Sequence, residues 1–61
     1  MREWLKEERK RREMSQREAA KASGVSQVCY CLIEQGKRNP TVPTAKRIAA
    51  ALGCDWTRFY E

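Results

Sequence analysis

The chain carries three thiols, Cys29, Cys31 and Cys54, and no histidine. Thiols are the first candidates for metal binding, disulfide formation or nucleophilic chemistry, and their spacing argues against each. An odd number cannot complete a disulfide framework. Cys29 and Cys31 lie in Gln27-Val28-Cys29-Tyr30-Cys31, a stretch that reads as helix. On a helix, positions i and i+2 point about 200° apart, so these two neither bridge nor share a metal. A zinc site wants C-x₂₋₄-C spacing with a second pair or histidines, and the chain has neither. No nucleophile–base pair or carboxylate dyad is present either, so no enzyme, metal or cofactor is expected. The thiols read as small semi-apolar residues of a reduced, cytoplasmic protein.

The charges are more suggestive. Thirteen Lys and Arg stand against eight Asp and Glu, a formal charge of +5 on 61 residues. That length allows one domain, 1–61, burying about 60% of the surface it exposes when unfolded. No apolar run approaches the roughly 20 residues of a membrane span. Met1–Lys6 lacks the apolar region of a secretion signal. A small basic binding module is implied, with nucleic acid its most obvious partner, although charge alone does not decide it.

The elements that must position such chemistry are marked by their ends. Gly24, Gly36 and Gly53 are the only glycines, and each follows a stretch of helical spacing. Ser15, Ser26 and Asp55 each precede one and can serve as N-caps. Ser15 and Glu18 form a capping-box pair, and Pro43 fits within a first helical turn. Five helical pieces follow: about Arg2–Arg12, Gln16–Ser23, Gln27–Gln35, Val42–Leu52 and the short Trp56–Tyr60. In the fourth, Ala45, Ile48, Ala49 and Leu52 form an i, i+3, i+4, i+7 stripe. No segment alternates with period 2, so the fold class is all-α, a compact bundle of four to five short helices. A Gly-containing turn at 24–26 between helix 2 (16–23) and helix 3 (27–35) is the helix-turn-helix unit.

At these residues the sequence resembles the Cro-type, lambda-repressor-like helix-turn-helix family. The resemblance is carried by Gln16-Arg17-Glu18-Ala19-Ala20, by Gly24-Val25-Ser26-Gln27 and by Ile33-Glu34-Gln35-Gly36-Lys37-Arg38-Asn39-Pro40. Ala51-Leu52-Gly53 and Arg9 also match, so about positions 5–60 are covered. The resemblance implies a double-stranded DNA-binding transcriptional regulator, of repressor type and phage, plasmid or mobile-element origin, located in the cytoplasm with the nucleoid. Helix 3 would enter the major groove.

The helical wheel agrees with such a role. With Ile33 facing the core, Tyr30 falls on the hidden side, and Gln27, Val28, Cys31, Leu32 and Gln35 are displayed. A Gln amide can hold adenine N6 and N7 in two hydrogen bonds, and apolar groups can pack on thymine methyls. Base reading is thus expected of Gln27, Val28, Cys31 and Leu32. The resemblance implies phosphate binding by Gln16, Ser26, Gln35, Lys37, Arg38 and Asn39, and Gln16 also stands at a helix N-terminus that favours anions. The resemblance further implies an Arg9–Glu34 salt bridge. It also implies dimerisation, here through Trp56, Phe59 and Tyr60. Arg9-Lys10-Arg11-Arg12 reads mostly as solvated surface, because successive helix positions diverge. The chain departs from the family at Ala19, Ser23 and Glu13, where larger apolar residues and a glycine are usual. Trp4, Met14, Tyr30 and Trp56 are expected to refill the core. An alternative reading is a protein-interaction module, such as an antitoxin or antirepressor subunit, for which apolar Val28 and Leu32 would be the docking groups.

Overall fold

The computed structural model describes all 61 residues. It contains α1 (Glu3–Arg11), α2 (Gln16–Ser23), α3 (Gln27–Glu34) and α4 (Val42–Leu52), followed by a 3₁₀ turn, Trp56–Tyr60. The architecture is all-α, without strands.

Short helices need their ends satisfied, because the first four N–H groups of each lack a partner within the helix. At α2 the Ser15 hydroxyl accepts from the Glu18 N–H (3.0 Å), and the Glu18 carboxylate accepts from the Ser15 N–H (2.8 Å). That backbone N–H holds the Glu18 carboxyl below its ordinary value. Ser26 caps α3 by accepting from Cys29 N–H, Thr41 caps α4, and Asp55 caps the 3₁₀ turn. Gly24 ends α2 at φ +72°. This left-handed conformation costs glycine nothing and lets the chain turn from α2 into α3 within three residues.

Three helix ends differ from expectation by one residue. Arg2 and Arg12 flank α1 rather than belonging to it, and Arg2 sits at φ −85°, ψ 84° with its side chain turned towards the end of α3. Gln35 is the C-cap of α3, with Gly36 beyond it at φ +78°.

The core is closed by Leu5 from α1, Ala19 and Ala20 from α2, Tyr30 and Ile33 from α3, the α4 stripe, and Phe59. Small residues on α2 let α4 approach closely, and Tyr30 supplies the missing volume, being fully buried. Trp4, Met14 and Trp56 pack only at the margin of this cluster. Phe59 meets Trp4 edge-on, 4.9 Å between centroids. The family departures also find physical reasons. The buried Ser23 hydroxyl donates to Ala19 O at 2.7 Å, so it carries no unpaired polar group into the core. Glu13 adopts φ +56°, the left-handed conformation that a glycine takes without strain. Glu13→Gly should therefore stabilise the fold by roughly 1 kcal/mol, strain relief slightly exceeding the extra entropy of the unfolded chain. Urea denaturation measures this, and a loss of stability would show that Glu13 is unstrained.

Candidate nucleic-acid interface

The outer face of α3 is assembled by what lies behind it. Arg9 on α1 forks onto Glu34 on α3, with Nε donating to Oε2 (3.0 Å) and Nη2 to Oε1 (3.1 Å). Both residues are buried. A third Arg9 donor, Nη1, reaches Met14 O at 2.8 Å and ties down the α1–α2 turn. Burial alone would raise the Glu34 carboxyl. Hydrogen bonds, that of Arg9 foremost, outweigh burial and hold the carboxyl below its ordinary value. The same hydrogen bond raises Arg9. Tyr30 lies beside this pair, its buried hydroxyl without a hydrogen-bond partner, and burial pushes its phenol well up.

The network continues to the surface. Gln16, at the start of α2, donates from Nε2 to Glu34 Oε1 (3.3 Å) and accepts the Cys31 thiol at Oε1 (3.2 Å). The amide has two N–H donors, and this arrangement leaves one of them for a ligand at the α2 N-terminus. Cys31 is consequently half-buried with its thiol turned towards α2, rather than fully displayed. Leu32 is half-buried too. Gln27 and Val28 are exposed, Val28 to 70%. The Ser26 hydroxyl is occupied as a cap. No carboxylate stands on the open side of α3, because Glu34 is consumed inside.

Beyond α3, the segment Gln35–Asn39 is exposed. Its backbone folds back on α3, with Lys37 N–H (2.9 Å) and Arg38 N–H (3.2 Å) both donating to Leu32 O. Arg2, which no motif or periodicity marks out, clamps the same segment. Its Nη1 donates to Ile33 O (2.6 Å) and Arg38 O (3.2 Å), and its Nη2 to Asn39 Oδ1 (2.7 Å). A shallow groove of about 260 Å³ runs beside it between α3 and the start of α4, lined by Cys29, Ile33, Arg38, Asn39, Thr41 and Thr44 among others.

Three of the other cations gather on a single carboxylate, that of Glu8. Arg11 approaches Glu8 Oε1 at 2.8 Å, Arg12 lies 3.9 Å from the same oxygen, and Arg58 lies 3.6 Å from Oε2. Lys46 sits over the Trp56 ring, 5.1 Å from its centroid. Exposed Lys37 and Arg38 follow α3 directly, in the segment beyond its C-terminus. The aromatic end of the chain differs from expectation. Phe59 is only 7% exposed and belongs to the core, because Trp4 and the Arg2 guanidinium cover it, so it offers no surface to a partner. Tyr60 is half-exposed, with its hydroxyl donating to Pro40 O at 2.8 Å, and Trp56 is partly covered.

Two short helices joined by a left-handed glycine turn, the second presenting an open, carboxylate-free face, define a helix-turn-helix protein. The chain matches the model of the family described as "Helix-turn-helix" over residues 5–59 and belongs to that family, of lambda-repressor and Cro type. It is also 44% identical over 61 residues to a protein of Bacillus subtilis (strain 168) described as "Uncharacterized HTH-type transcriptional regulator YqaF", all of this chain aligning with 80% of that one. No solved structure matches the chain.

Proposed function

We propose that the chain is a cytoplasmic, sequence-specific transcription regulator of repressor type that inserts α3 into the major groove of double-stranded DNA. The observation that carries this reading is the exposed pair Gln27 and Val28 on a face without carboxylates. On one side lies the α2 N-terminus with the Gln16 amide, and on the other the Lys37–Asn39 segment. In this reading Gln27 and Val28 contact base edges, with Leu32 and Cys31 at the margin. Phosphates are gripped by Gln16, Ser26, Gln35, Lys37, Arg38 and Asn39. Two copies joined near Tyr60 and Trp56 would read half-sites roughly 10 bp apart.

Selection of bound sequences from random duplex DNA tests this. The protein should enrich a motif, and Gln27→Ala should relax one position of it by about 1–3 kcal/mol while leaving the others intact. A mutant that enriches the unchanged motif would remove Gln27 from the reading set. Counterion release sets a second condition: with Lys37 and Arg38 on phosphates, log K should fall with log salt at a slope of about −1.8 or steeper per protomer.

The exposure of Val28 also suits docking to a protein, as in an antitoxin or antirepressor subunit. Failure to bind any duplex at low salt, together with salt-insensitive binding to a protein, would favour that reading.

A further inference from the structure

Asn39 is exposed at the end of the segment that follows α3, and its amide is held from behind. The Arg2 guanidinium donates to Asn39 Oδ1 at 2.7 Å, and a side-chain amide whose oxygen is claimed in this way has its two Nδ2 hydrogens left to offer. An amide turned the other way would present its carbonyl oxygen, which phosphate repels. The same guanidinium holds Ile33 O, at the end of α3, and Arg38 O, inside the segment. The Arg2 N–H donates to Glu34 O at 2.8 Å, so both backbone and side chain of this residue fasten the end of α3. The guanidinium also lies 5.7 Å from the centroid of the Phe59 ring, which limits where it can swing. Five donors in a fixed fork suit this task, and a lysine ammonium cannot span three acceptors in the same geometry.

We propose that Arg2 is a positioning residue for DNA-backbone binding: it orients the Asn39 amide with its N–H groups outward. This rests on the proposed reading of Asn39 as a phosphate contact. In this proposal Arg2 acts without a phosphate contact of its own: three of its five N–H donors are spent on acceptors of the chain.

The test uses the full chain and a random-sequence duplex two turns long at low salt, where phosphate contacts dominate binding. Asn39→Ala should weaken binding about five- to tenfold, the value of one hydrogen bond. Arg2→Ala should weaken it about as much in the native background, yet by less than twofold when added to Asn39→Ala. The salt slope should stay unchanged in Arg2→Ala, because no counterion-releasing contact is lost. Arg2→Lys keeps the charge but not the fork, and should bind as weakly as Arg2→Ala. It also takes the place of Arg2→Ala in the cycle if that variant fails to fold, as judged by circular dichroism. Losses that multiply, a slope reduced by about 0.9, or full recovery with lysine would each overturn the positioning role while leaving Asn39 as a contact. Undiminished binding by Asn39→Ala would overturn the contact itself and the proposal with it.

Discussion

Replacing Glu34 by glutamine is expected to cost about 3–5 kcal/mol, because it strips the counter-charge from a guanidinium that is itself buried and cannot lose its proton. A domain of this length has roughly 3–9 kcal/mol in total. The variant should therefore be largely or wholly unfolded at 37 °C, as chemical denaturation will show. Glutamine preserves shape and can still accept from Arg9, so a loss below about 1 kcal/mol would mean that the pair is not desolvated in solution. Replacing both partners with apolar residues, as in Arg9→Met with Glu34→Leu, should recover much of the loss, since the unpaired charge disappears. The recovered fold should still lack the Gln16 anchor, whose Nε2 would have lost its acceptor.

The same pair predicts the response to acid. The folded protein keeps Glu34 ionised at pH values where the unfolded chain, with its ordinary value of 4.5, takes up a proton. Above that value the contribution of Glu34 to stability is complete. As pH falls below it, the unfolded state binds the additional proton and stability declines, until the depressed folded value is also passed. Glu18 and Asp55, both lowered by backbone N–H groups, add in the same direction. Stability should thus fall more steeply below about pH 4.5 in the native protein than in the Arg9→Met, Glu34→Leu pair, which lacks one of the three carboxylates.

Val28→Glu should abolish the function with little effect on the fold. Val28 is 70% exposed, so substitution there should change stability by no more than about 0.5 kcal/mol. In the groove, however, its carboxylate would face phosphates across a face that carries no other anion. Like charges brought together at an interface cost several kcal/mol, which corresponds to a loss of about 100-fold or more in affinity. Binding by gel shift or fluorescence anisotropy on a selected duplex measures it. Ala50→Glu, which adds the same charge on the exposed side of α4, controls for net charge and should bind within about threefold of the native protein. Equal, small losses for both variants would mean that α3 does not enter the groove.

How much of this was legible beforehand can be judged residue by residue. Helix ends were readable because capping is local: Ser15 with Glu18, Ser26, Asp55 and Gly24 act on groups within three residues of themselves. The α4 stripe was readable because 3.6-residue periodicity is also a local property. The exposure of Gln27 and Val28 followed from the same geometry. The side that Phe59 faces was not legible, because a single aromatic in a short turn carries no periodicity, and only the packing of Trp4 from the other end of the chain decides it.

The overall charge was equally uninformative about place. Thirteen cations are visible in the sequence; Arg11 and Arg12 meet Glu8 at local helical spacing, but Glu34 reaches Arg9 and Glu8 reaches Arg58 only because folding brings them close. Arg2 and Asn39 are 37 residues apart, and Cys31 and Gln16 are 15 apart. No local rule joins such pairs, because the entropy of closing those loops is met by the whole core rather than by the hydrogen bonds that result. The chain's order of residues therefore settles the helices, their caps and the side of α3 that faces out. The tertiary fold alone decides which charges are spent inside, which amides are held, and in which direction their N–H groups point.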